Sequence, residues 1–142
     1  MSDKRQELLD GLNEDLANEW AAIQMYRSYA SMVKGPYRKE LREFFEAEIP
    51  EELTHAGLLT DKIVALGGVP TTRVAPVEMV DDAKQMLEQA LVAERDTITR
   101  YVQRRRQAED LEQFGLAIEL DTLIADEAKH HDELKLMLDK WD

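Results

Sequence analysis

The sequence predicts an all-α four-helix bundle in which one long crossover joins helices two and three. Three observations point there. Apolar residues recur at helical spacing along four stretches. Composition is 44% apolar and 34% charged with only four prolines, which favours helices over a β-fold. The second half of the chain also repeats the first, 75 positions later, as Leu12 and Leu87, Tyr26 and Tyr101, and Leu59 and Leu134 illustrate.

The first helix is expected from about residue 3 to 33. Leu8, Leu9, Leu12, Leu16, Ile23, Tyr26 and Ala30 form its apolar stripe, and Gly35-Pro36 ends it. The second, about 38 to 66, carries Leu41, Phe44, Phe45, Leu58, Leu59 and Ile63 and stops at Gly67-Gly68. The third is expected over about 81–107 and the fourth over about 110–140, with their turn at Asp110-Leu111. Pro50 lies inside the second helix, where it removes a backbone hydrogen bond, and a kink or bulge is expected there. Each half is thus an amphipathic hairpin, about 3–66 and 81–140, whose apolar stripe needs the other half to cover it. Residues 1–142 are read as a single domain.

Gly67 to Val80 is rich in Gly, Pro, Thr and Val and reads as extended. It can reach roughly 45 Å, close to the roughly 40 Å of a helix of this length. It can therefore run the length of the bundle and leave helices two and three parallel.

Six residues share the 75-residue offset: Glu19, Glu52 and His55, then Glu94, Glu127 and His130. Both histidines sit in Glu-x-x-His, whose i, i+3 spacing aims both side chains into one space. Glu19 and Glu52 are equidistant from the first turn, and Glu94 and Glu127 from the second. The topology brings all four glutamates to mid-bundle. Unpaired buried carboxylates are costly, and two divalent cations balance their four charges. Imidazole and carboxylate without thiolate suit Fe²⁺ or Mn²⁺, with Zn²⁺ able to compete.

This ligand set resembles that of the ferritin-like di-iron carboxylate superfamily, with bacterioferritin and ferritin as its nearest members, over essentially the whole chain. The resemblance implies two iron ions per subunit, manganese being possible. Glu52 and Glu127 would bridge them, Glu19 and Glu94 would be terminal ligands, and His55 and His130 would bind one metal each. It implies a ferroxidase that oxidises Fe²⁺ with O₂ or H₂O₂, for iron storage or detoxification. The competing readings are a di-iron or di-manganese peroxide scavenger without storage, and a non-catalytic bundle held by its metals. Haem is not expected, because Leu53 stands where bacterioferritin has its haem-binding methionine. Only 12 residues follow His130, too few for the fifth helix of the large cages.

Further residues follow from the same symmetry. Tyr26 and Tyr101, seven residues beyond the terminal glutamates, either hydrogen-bond carboxylates of the opposite hairpin or pack as plain core aromatics. Glu51 and Asp126 are candidates to orient a ligand histidine across the bundle, or else belong to a solvated face. Glu48, matched by Leu123, is a candidate aid to metal uptake. His131 reads as a surface residue.

The net charge of −12 argues against nucleic acid as a partner. The amino terminus lacks a signal-peptide stretch, no segment has the length of a membrane span, and cysteine is absent, so the expected location is cytoplasmic. A homo-oligomer is expected, at least a dimer and within a shell, with Met25, Met32 and Trp20 as the contact face.

Overall fold

The structure, a computed structural model, describes residues 2–141. Four helices account for most of them: α1 (Ser2–Met32), α2 (Arg38–Ala65), α3 (Ala83–Asp110) and α4 (Phe114–Leu138). The architecture is all-α, as the sequence predicts. Among the described residues, no helix is long and apolar enough to cross a membrane.

The helix ends follow from local chemistry. Gly35, at φ 105°, makes the turn between α1 and α2. At the end of α2, Gly67 is left-handed and donates to Val64 O at 3.0 Å, while Gly68 donates to Ile63 O at 2.9 Å. This is the Schellman close that glycine favours. Asp82 caps α3, its carboxylate accepting from Gln85 N at 3.1 Å. The turn between α3 and α4 lies later than expected, at residues 111–113. The cause is a second Schellman close on a non-glycine residue: Glu112 is left-handed at φ 57° and donates to Glu109 O, and Gln113 donates to Ala108 O at 2.8 Å. No bulge forms at Pro50: α2 is continuous α-helix through it, and the ring lies on the exposed side.

The cross-helix contacts give the topology. Along α1 and α3, Tyr26 meets Glu94 and Asp15 meets Arg104, so those helices are antiparallel. Glu46 lies beside Arg27 and Leu66 O beside Arg5, so α1 and α2 are antiparallel as well. Helices α2 and α3 are therefore parallel. The crossover between them climbs α1 from end to end. Val69 O and Thr71 N bond Asn13, Ala75 N bonds Ala17 O at 3.1 Å, and Glu78 O accepts from Tyr29. Ala17 and Ala21 supply the shallow seat in which Ala75 packs.

The core has two apolar parts. One end of the bundle holds Leu8, Leu12, Leu16, Leu59, Ile63, Leu116 and Leu120. The other holds Tyr29, Val33, Leu41, Phe45, Met86, Leu87 and Leu134, with the Tyr29 and Phe45 rings edge to face at 5.8 Å. Met25 belongs to this second part at 6% exposure, and Met32 is partly buried against it. Of the three residues expected to carry a subunit contact, Met25 is thus part of the chain's own core, while Met32 and Trp20 are only partly buried. Ile23, expected on the core stripe, is only half-buried. Between the two apolar parts lies a polar waist.

Candidate metal centre

The waist is built from side chains of all four helices. Glu19 on α1, Glu52 and His55 on α2, Glu94 on α3, and Glu127 and His130 on α4 are all buried. The structure brings together all six residues expected from the sequence. Their donor atoms form two groups that share Glu52: Glu19, Glu52, His55 and Glu127, and Glu48, Glu52, Glu94 and His130. Within each group, one donor atom per residue lies within 4.8 Å of every other.

Each histidine is oriented from across the bundle. His55 Nε2 is 3.3 Å from Asp126 Oδ2, and His130 Nε2 is 3.1 Å from Glu51 Oε2. An Nε2–H donated to a carboxylate leaves the Nδ1 lone pair facing the site. Both Nδ1 atoms do face it. His55 Nδ1 lies 2.9 Å from Glu127 Oε1 and 4.0 Å from Glu19 Oε2, and His130 Nδ1 lies 3.7 Å from Glu94 Oε1. Two carboxylates reach both imidazoles. Glu52 Oε1 is 3.8 Å from His55 Nδ1 and 3.9 Å from His130 Nδ1, while Glu127 presents its second oxygen to His130 at 3.8 Å.

The tyrosines expected to pair with the opposite hairpin do so. Tyr26 Oη donates to Glu94 Oε1 at 2.6 Å, and Tyr101 Oη donates to Glu19 Oε1. Both rings are fully buried. Burial, with the surrounding carboxylates adding to it, pushes both phenols well above their usual range and keeps them as donors. Each tyrosine occupies one oxygen of its glutamate and leaves Oε2 free of any hydrogen bond.

A larger pattern emerges from the polar atoms left without partners. Among the described residues, buried side-chain atoms lacking a hydrogen bond include Glu19 Oε2, Glu48 Oε2, Glu52 Oε1, Glu94 Oε2, both carboxylate oxygens of Glu127, and Nδ1 of both His55 and His130. The remaining two are the Nε atoms of Arg100 and Arg105. His55 Nδ1 and Glu127 Oε1 are close enough to bond yet are not aligned to do so. Donors that converge on a common point rather than on each other are what a cation site requires, and orphaned buried carboxylates are otherwise costly.

Electrostatics agree. Burial drives Glu52 well above the carboxylate range, with Glu19 and Glu127 adding to it. Burial likewise raises Glu19 and Glu48 to about 7. Burial works to lower His55 and His130, but the adjoining carboxylates, Glu127 foremost, outweigh it and raise both to about 9. Burial also acts to raise Glu127, but the His130 and His55 imidazoles beside it overcome that, so that Glu127 is held low. Without metal the site holds protons where cations would sit.

The structure adds two features to the sequence reading. Glu48, read from the sequence as a candidate aid to metal uptake, is a buried member of the second donor group. Its signal was the four-residue step to Glu52, which puts both on one helix face. Beneath the site, Arg104 grips Asp15 through Nε and Nη2 at 2.8 and 3.1 Å, a buried pair. Neither residue is matched in the other hairpin, where Ala90 and Tyr29 stand instead. His131 is partly exposed and belongs to neither donor group.

Comparison with known proteins gives a consistent picture. Residues 9–142 match the ferritin-like domain family. Bacterioferritin from Mycobacterium bovis is 29% identical over 132 residues, which cover 92% of this chain and 83% of that protein. Bacterioferritin from Streptomyces coelicolor is 28% identical over 137 residues, covering 94% and 80%. A crystal structure of a ferritin-like, diiron-carboxylate protein from Bacillus anthracis str. Ames superposes with a TM-score of 0.95 at 46% identity, over 97% of this chain and 99% of that one. A Dps protein from Bacillus brevis shares the fold, with a TM-score of 0.91 at 22% identity. A four-helix bundle with one long crossover and a waist of two Glu-x-x-His groups thus belongs to the ferritin-like family.

Proposed function

We propose that this protein is a di-iron ferroxidase that oxidises Fe²⁺ with O₂ or H₂O₂ in iron storage or detoxification. One observation carries the reading. Among the described residues, the buried side-chain atoms left without hydrogen bonds are, apart from two arginine nitrogens, those of the two four-residue groups at the waist. The donor set of carboxylate and imidazole, with no thiolate in the chain, suits iron or manganese. A metal pair there supplies two-electron oxidation chemistry; the protein supplies its position and surroundings.

The residues divide the work. Glu52 and Glu127, which reach both imidazoles, would hold both metals, and Glu19 and Glu94 would hold one each. Tyr26 and Tyr101 fix those terminal carboxylates by one oxygen and present the other. Asp126 and Glu51 hold His55 and His130 with Nδ1 inward. The apolar ends of the bundle wall the waist from bulk water. The relatives' names, bacterioferritin and diiron-carboxylate protein, support the same assignment.

Aerobic addition of Fe²⁺ to metal-free protein tests it. Catalytic oxidation of many Fe²⁺ per chain supports storage. Oxidation of only about two per chain indicates a resident di-metal cofactor. No oxidation would sink the ferroxidase reading. We further propose self-association, which the ferritin-like resemblance favours, and no affinity for DNA, since the charge of −12 is multiplied in an oligomer. A strictly monomeric particle by light scattering, or a salt-sensitive gel shift with duplex DNA, would refute these two points.

A further inference from the structure

The duplicated hairpin contains its own control. Each ligand in the first half has a counterpart 75 residues later, but Glu48 is matched by Leu123. Glu48 is 6% exposed, its Oε2 has no hydrogen-bond partner, and that atom stands 3.1 Å from His130 Nδ1. It shares a face of α2 with Glu52, and it joins Glu52, Glu94 and His130 in one donor group. Leu123 is 2% exposed and packs in the apolar cluster at the other side of the waist. Because Glu52 and Glu127 each reach both imidazoles, Glu48 gives the His130 side one carboxylate that has no counterpart on the His55 side.

We propose that Glu48 is a metal ligand of the His130 position alone, which makes the two positions unequal and lets the His130 position take a divalent cation first. The proposal rests on the di-metal reading above. An added anionic oxygen strengthens binding of a hard divalent cation, and no counterpart offers this to the His55 position. Unequal positions allow one ion to stay bound while its neighbour exchanges.

Titration of the metal-free full chain with Co²⁺ tests this, followed by calorimetry and by the visible absorption that reports cobalt coordination. The wild type is expected to bind in two separable steps. Glu48→Gln, a neutral isostere, is expected to weaken the tighter step by about tenfold or more and leave the weaker one in place. Two backgrounds assign the steps. In His55→Ala, where the His130 position remains, adding Glu48→Gln lowers Co²⁺ affinity. In His130→Ala it has no effect. Equal weakening of both steps, or of neither, overturns the proposal. A wild-type chain that takes up no Co²⁺ overturns the di-metal reading itself, a distinguishable result. Glu48→Gln removes a charge from a core crowded with carboxylates, so its metal-free melting temperature should be no lower than that of the wild type. A lower one would make Glu48 a structural residue and defeat the assignment.

Discussion

At the scale of single residues, the centre is a competition between protons and cations. His55 and His130 are raised to about 9, Glu19 and Glu48 to about 7, and burial pushes Glu52 well above its ordinary range. At neutral pH these groups hold protons that a divalent ion must displace. Addition of Mn²⁺ or Zn²⁺ at pH 7 should release protons, seen as binding heats that vary with the ionisation enthalpy of the buffer, and affinity should rise from pH 7 to 9. Heats independent of buffer would contradict the burial-driven shifts. A second outcome concerns Tyr101, whose hydroxyl holds Glu19. Tyr101→Phe keeps the ring and frees that carboxylate, and should weaken metal binding by about tenfold; unchanged affinity would reduce Tyr101 to core packing. These roles were legible in the sequence because repetition marks them: two tyrosines, two histidines and four glutamates recur at one offset. The Asp15–Arg104 pair escaped the same logic because repetition is silent where the halves differ, and Glu48 was visible only as a break in the repeat.

At the scale of elements, legibility depended on whether a turn used a residue type that announces it. The end of α2 was readable because Gly67 occupies the left-handed position. The end of α3 was misplaced because Glu112 takes the same conformation without glycine, and a left-handed glutamate leaves no mark in a sequence. Gly11, inside α1, shows the opposite case of a glycine with no turn to make. A Cβ there would overlap the Arg104 guanidinium, and Arg104 cannot swing aside without releasing buried Asp15. Gly11→Ala gains about 1 kcal/mol of helix propensity, whereas breaking a buried ion pair costs about 3–5 kcal/mol. The variant should therefore be destabilised by roughly 2–4 kcal/mol, measurable by urea unfolding of the metal-free protein. A neutral or stabilising result would mean that the pair can re-form elsewhere. The helices themselves were legible because their apolar spacing is set by burial, and the crossover because its length matches that of the bundle.

For the whole molecule, the waist makes stability a function of both pH and metal. A glutamate raised on folding contributes stability in full below its ordinary value of 4.5, and loses it as pH climbs toward about 7, as for Glu19 and Glu48. A histidine raised on folding contributes in full below 6.5 and loses that contribution as pH climbs toward about 9, as for His55 and His130. Glu127, lowered on folding, acts in the opposite direction, but its contribution is complete above 4.5 and falls away only in acid. The metal-free protein should thus melt at progressively lower temperature from pH 5 to pH 9. Bound metal reverses the trend, since its ligands must be deprotonated and its affinity grows as protons leave. At free Mn²⁺ of about 100 to 1,000 times the dissociation constant, linkage adds about 2.7–4.1 kcal/mol. For a chain of this size that corresponds to roughly 5–15 °C in melting temperature. The interval between the metal-free and Mn²⁺-loaded melting curves should therefore widen steadily from pH 6 to pH 8. Melting curves that coincide at every pH, or an interval that narrows as pH rises, would show that the buried carboxylates and imidazoles of the waist do not bind the cation.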